Sequence, residues 1–278
     1  LLGTAGSTVS KKPTRDTGPK KVAAVRRQLA QTPKISVGRS SGTDLAPETA
    51  ALALDIGRMI EARMKDEEIR PPYTIEDMAD DAVGLLDALE IEKAHICGIS
   101  MGGMIAQTIA LNHRERILSL ISIYSQTGNP ALPLPTLKAL ECLLTPPPME
   151  REANITYTLD VWRTFSGTGF PLDEEWHRKI AALSYDRAFY PEGVARQLAA
   201  VMAQKNRKHD LGSVSVPTLV IHGADDPLVP GEGGKDTAEA IPGAELIIIE
   251  GMGHDLPHAG NGGWRQIVDA IVNHTQKI

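Results

Sequence analysis

Cysteine and aromatic residues are scarce in this chain. Only Cys97 and Cys142 occur among its 278 residues, too few for a disulfide framework, and neither stands in a Cys or His spacing that suits a metal. A reducing, cytoplasmic setting with no metal is therefore expected. Aromatics make up 4% of the chain and the first is Tyr73, so the opening segment offers little to a core. No apolar run approaches the ~18 to 20 residues that cross a bilayer, which argues against a membrane partner. No apolar h-region follows Leu1, and a leader or a first piece of the fold upstream of it stays open. Neither sign of charge dominates. The net charge is −6 and the pI about 5.8, which points away from nucleic acid and from anionic membrane surfaces. One local exception is the basic run Lys11, Lys12, Arg15, Lys20, Lys21, Arg26, Arg27, Lys34 and Arg39 against the single acid Asp16, read as a solvated surface.

What the chain does have is enough apolar material, 42%, to build a substantial core. Up to about residue 70 the pattern is weak, with only the stretch from Asp44 to Glu68 at helical spacing. Beyond Tyr73 it sharpens. Thr74, with Asp77 three residues on, is a capping-box start for a helix that carries Met78, Ala82, Leu85, Leu86 and Leu89 along one face. "KAHICGI" then reads as a buried strand, "GGMIAQTIALNH" as a helix, and "ILSLISIYS" as the next strand. That alternation predicts a parallel sheet with right-handed crossovers. From about 130 to 207 prolines and aromatics gather in helical patterns, including Trp162, Phe165, Phe170 and Trp176. Strand-then-loop patterning returns at "VPTLVIHGADDPLVP" and "AELIIIEGMGH", with a helix between them and another, "WRQIVDAIVNHTQKI", at the end. The expected organisation is a core from 1 to 129, a helical cap from 130 to 207 and a second core part from 208 to 278.

Between the first strand and its helix lies Gly98-Ile99-Ser100-Met101-Gly102. G-x-S-x-G in that context lifts a serine onto a strained turn, with its Oγ above the sheet edge and beside a positive helix end. A serine needs a base and an orienting acid. Both types follow later strands: Asp225 and Asp226 after "TLVIHG", and His254 after "LIIIEG". In a parallel sheet all of these stand at the carboxyl edge. The Met101 amide is the expected oxyanion donor. His95, His113 and His222 read as structural, His258 as a surface-loop residue, and Cys97 as core.

At "GISMGG", "VIHGADDPLVP" and "GMGHDLP" the chain resembles the α/β-hydrolase-fold superfamily, in its esterase and haloperoxidase-like group. The "SGTGFPLDEE" and "GMGHDLP" stretches are also similar to aclacinomycin methylesterase, which removes a methyl ester from a polyketide. The resemblance implies an α/β-hydrolase fold, a mostly parallel sheet flanked by helices, with the cap inserted after the strand that follows the nucleophile helix. It assigns the acid to Asp226 and leaves Asp225 to shape the turn or carry a supporting hydrogen bond. It places a second oxyanion donor at Thr4, in "LLGTAGS", with "VGRSSG" from Val37 to Gly42 in the position of a glycine-rich turn. The implied activity is a cofactor-free serine esterase acting on a small hydrophobic ester. Perhydrolysis, C–C or amide hydrolysis, and an inactive binding protein of the same fold are the alternatives.

Overall fold

The computed structural model describes residues 6–8, 67–258 and 262–278. Thr4, the basic run from Lys11 to Arg39, the Val37–Gly42 turn and nearly all of the Asp44–Glu68 helix lie outside the described residues.

The first described helix, α1 (Ile75–Ala88), begins as its capping box dictates. The Thr74 side chain accepts from the Asp77 amide, and the Asp77 carboxylate accepts from the Thr74 amide at 2.8 Å. Its buried residues are Ile75, Ala79, Val83 and Leu86. This corrects the face expected from sequence, since Leu85 is 51% exposed. The seam turns toward the smaller Ala79 and Val83, which pack with Ala106, Ile109 and Ala110. Those three belong to α2 (Met101–Asn112). Small side chains allow the two helices to approach closely.

Among the described residues a five-stranded sheet carries the rest. Its strands are β1 (Gly6–Thr8), β2 (Ala94–Ile99), β3 (Ile117–Ile123), β4 (Thr218–Gly223) and β5 (Glu245–Ile249), hydrogen-bonded in that order. Strands β2 to β5 are parallel, while β1 lies antiparallel on β2 with Ser7 opposite Ile96. Within the opening "LLGTAGS" only Gly6 and Ser7 are described, and the strand Gly6–Thr8 pairs with β2.

Both faces of the sheet are covered, which is why β3 and β4 read as almost continuous apolar runs. On one face Ile96 and Leu120 join α1 and α2. On the other, Ile121, Ile123, Leu219, Ile221 and Ile249 pack against Ile267 of α8 (Gly262–Gln276). The two sets alternate along β3, as the two-residue period of a strand requires.

Between β3 and β4 stand four helices, α3 (Leu137–Leu144), α4 (Arg151–Phe165), α5 (Glu174–Ala188) and α6 (Pro191–Met202). Helix α7 (Glu232–Ala240) connects β4 to β5. Where the chain returns to the core, the buried Arg207 donates to Gln107 Oε1, Gln126 O and Gln204 Oε1 at 3.1 to 3.3 Å. Nearby, Lys208, Thr127 and Asn129 all converge on the buried Asp236 carboxylate. These bonds rivet the exit of the inserted helices to the end of β3 and to α7. Among the described residues, no helix is long and apolar enough to cross a membrane.

Candidate active site

Ser100 occupies the single step between β2 and α2, with φ 54° and ψ −120°. That backbone region is unfavourable for any residue with a Cβ and persists only where the surroundings enforce it. Here the enforcement is visible. The Ser100 amide donates to Ile123 O at 2.9 Å, while its carbonyl accepts from Gly103 and Met104 as the helix begins. A Cβ on Gly98 would overlap the Gly102 carbonyl, and one on Gly103 would run into the Ser125 side chain. The sequence pattern suggests bare residues at both motif glycines. The structure puts the steric need at Gly98 and Gly103 instead, because a Cβ on Gly102 would meet nothing within 4 Å among the described residues.

Serine at a helix N-cap ordinarily turns its hydroxyl back onto the helix amides. Ser100 makes no such cap. Its Oγ lies 2.9 Å from His254 Nε2, and His254 Nδ1 lies 2.7 Å from Asp226 Oδ2. A buried carboxylate can only accept, so Nδ1 carries the proton and Nε2 is left to accept from the serine hydroxyl. The sequence-predicted Ser100, His254 and Asp226 are thus brought together from the ends of β2, β5 and β4. Met101, the first residue of α2, presents one of the helix-start amides that have no partner within the helix. Thr4 lies outside the described residues.

The supporting contacts fix both loops. Asp226 Oδ1 accepts from the Leu228 and Val229 amides at 2.9 and 2.7 Å. His222, fully buried in β4, donates from Nε2 to Val229 O at 2.8 Å, and the same nitrogen stands 3.6 Å from Asp226 Oδ2. Burial pushes the Asp226 carboxyl up, but the adjacent His254, the His222 ring and the Val229 amide outweigh it and hold the group below the ordinary range. Asp225 points elsewhere, accepting from Thr168 Oγ1 at 2.7 Å. The His254 ring is tilted 57° to the Tyr124 ring at 4.6 Å and meets the edge of Phe165 at 6.0 Å. Tyr124 is itself strained, at φ 35°.

Other singled-out residues fall away from this centre. His95 pairs with Ser119 Oγ at 2.8 Å inside the sheet, and His113 with Asp80 at 2.7 Å. His258 lies 3.3 Å from Asp173 Oδ2 and beside Trp176. Burial raises the Cys97 thiol to about 11, so it is an inert member of β2. Phe165 is buried and Trp162 partly so, against Leu228 and Val229, while Phe170 packs beneath α8 and Trp176 is half-exposed. Sequence reasoning did not single out Tyr124, Ser166 or Asp255. The signal that could have found the last is its place directly after His254.

A family model described as alpha/beta hydrolase fold matches residues 61–259. Rhodomycin D methylesterase DauP of Streptomyces sp. (strain C5) is 29% identical over 225 residues, covering 74% of each chain. A 2-hydroxy-6-oxononadienedioate/2-hydroxy-6-oxononatrienedioate hydrolase of Paraburkholderia xenovorans (strain LB400) is 35% identical over 176 residues, 62% of this chain and 59% of that one. Among solved structures, a hydrolase from Pseudomonas aeruginosa PA01 superposes with a TM-score of 0.54 at 26% identity, covering 74% of both chains.

Proposed function

The chain belongs to the alpha/beta hydrolase fold family, and from that premise we propose that it is a serine esterase working through an acyl-enzyme on Ser100. The observation that carries this reading is the unbroken relay from Ser100 Oγ through His254 to Asp226, at 2.9 and 2.7 Å, on a serine held in a strained turn.

In this reading His254 Nε2 takes the hydroxyl proton as Oγ attacks the ester carbonyl, and Asp226 stabilises the resulting imidazolium. The Met101 amide receives the oxyanion at the positive end of α2. Collapse breaks the bond to the alcohol, which leaves with the proton from His254. Water, deprotonated by the same nitrogen, then attacks the acyl-serine and releases the acid. The helices from α3 to α6 serve as a cap over the site, and their aromatic residues favour a hydrophobic, ring-bearing ester. Likeness to the rhodomycin D methylesterase supports a methyl ester, with methanol as the leaving alcohol.

A second reading, C–C bond hydrolysis, has support from the 35% identity to the oxononadienedioate hydrolase. The two separate by experiment. With p-nitrophenyl acetate and with methyl esters of aromatic acids, the esterase gives a burst and releases methanol, and Ser100→Ala abolishes both. Failure of a fluorophosphonate to label Ser100 would overturn the serine-hydrolase reading. Turnover of a vinylogous 1,5-diketone acid without methyl-ester cleavage would shift it to the C–C reaction.

A further inference from the structure

The last turn of α4 and the residues after it touch both loops of the relay. Phe165 packs on Leu228 and Val229 of the acid loop, and its carbonyl accepts from the His254 amide at 2.7 Å. Ser166 Oγ donates to Asp255 Oδ2 at 2.9 Å, Thr168 Oγ1 donates to Asp225, and the Gly169 amide donates to Gly251 O at 2.9 Å. The two backbones lie against each other. A Cβ on Gly167 or Gly253 would overlap main-chain atoms of the opposite segment, and Gly251 and Gly169 meet in the same way. Such contact couples the backbone of the histidine loop to the end of α4.

Asp255 is the carboxyl group in this joint on the histidine side. It is 4% exposed, and Ser166 is its side-chain hydrogen-bond donor. The groups that face it are His177 from α5, Tyr124 from the end of β3, the Gly253 amide and His254 itself, with Asp226 on the far side of the imidazole. It does not contact the reacting atoms, and it follows the proposed base in the chain.

We propose that Ser166 and Asp255 are positioning residues, a latch that ties the inserted helices to the histidine loop and sets His254 against Ser100. The inference rests on the serine-hydrolase reading for its kinetic consequence, but not for its structural one. The latch fixes the His254 backbone through Phe165 O, and Asp255 in its ionised form adds a second negative charge in support of the imidazolium.

The test uses the full chain with Ser166→Ala, Ser166→Thr and Asp255→Asn. In Ser166→Ala, fluorophosphonate labelling and kcat on p-nitrophenyl acetate fall about tenfold with KM little changed, the worth of one charge-assisted hydrogen bond. Ser166→Thr, which keeps the hydroxyl, restores both. Asp255→Asn moves the acid limb of the pH–rate profile to lower pH, a change that a purely structural residue would not produce. Amide exchange across 250–256 accelerates in Ser166→Ala while that of β3 and β4 does not. Unchanged exchange there, or wild-type labelling rates in both Ser166→Ala and Asp255→Asn, overturns the latch. A wild-type protein that is not labelled at all overturns the esterase reading instead, and the exchange measurement still decides the latch.

Discussion

Gly98 lies directly against the carbonyl of Gly102, so closely that any side chain on Gly98 would overlap it. The turn that lifts Ser100 is therefore closed by contact between backbones, and the glycines of "GISMGG" have unequal roles. Gly98→Ala forces β2 away from the start of α2 and is expected to cost more than about 3 kcal/mol or to prevent folding. Gly103→Ala meets the Ser125 Cβ as well as its hydroxyl, and rotation moves only the hydroxyl, so this variant is destabilised too, at a cost between those at positions 98 and 102. Gly102→Ala meets nothing among the described residues and gains up to about 1 kcal/mol of helix propensity. Thermal unfolding of the three variants checks the order, and equal destabilisation at positions 98 and 102 would contradict it.

Strain at Ser100 leads to a second expectation. Residues held at φ 54°, ψ −120° carry on the order of 1 to 3 kcal/mol when they have a Cβ. Glycine reaches that region freely but gives up about 0.5 to 1 kcal/mol of extra chain entropy on folding. Ser100→Gly and Ser100→Ala both remove the hydroxyl and both leave His254 Nε2 without it. Their difference therefore isolates the backbone, and Ser100→Gly should be the more stable by about 1 kcal/mol, a few degrees in Tm. Equal midpoints would mean that the strain at Ser100 is no larger than the chain entropy that glycine gives up, about 0.5 to 1 kcal/mol.

Much of this was legible in the sequence, for identifiable reasons. Thr74 and Asp77 fixed the start of α1 because a capping box is a local geometry. The triad candidates could be read because each polar residue follows an apolar strand in a parallel sheet, which sends them to one edge. The buried face of α1 was misjudged by about one residue, since hydrophobicity alone ranks Leu85 above Ala79 while close helix contact prefers the smaller side chain. The pairing of Ser166 with Asp255 spans 89 residues, and no local pattern encodes it. Nor could spacing distinguish Asp225 from Asp226 by itself. The distinction comes from the Leu228 and Val229 amides, which meet only Asp226.

Two buried carboxyls respond to pH in opposite directions. Burial opposes ionisation of Asp226, but His254, His222 and the Val229 amide hold its value below the ordinary one. A depressed folded-state value gives stability that is present above the unfolded value of about 3.9 and is lost as pH falls through the folded one. Burial raises Asp255 despite its bonds from Ser166 and Gly253, so its contribution is present below about 3.9 and is lost as pH rises through its folded value. Asp226→Asn should therefore destabilise most at neutral pH, with the gap to wild type closing in acid. Asp255→Asn should show the reverse trend, and urea unfolding between pH 3 and 7 compares them. Parallel pH profiles for the two variants would refute the assignment.

His222 sets the last expectation. Its Nε2 donates to Val229 O, while Nδ1 is buried with no partner among the described residues and lies where a Cβ on Gly234 would press on the ring. The imidazole is thus clamped in one tautomer behind the acid loop, and Val229 is both its acceptor and a donor to Asp226. His222→Leu leaves the buried Val229 carbonyl without this donor, at about 1 to 3 kcal/mol, and frees the loop that aims Asp226 Oδ2 at His254. Stability and kcat should fall together, with KM little changed, because the substrate need not touch His222. His222→Gln, which can still offer a donor, should recover part of both. A Leu variant with wild-type kcat would show that the Asp226 loop holds its geometry from the Leu228 and Val229 amides alone.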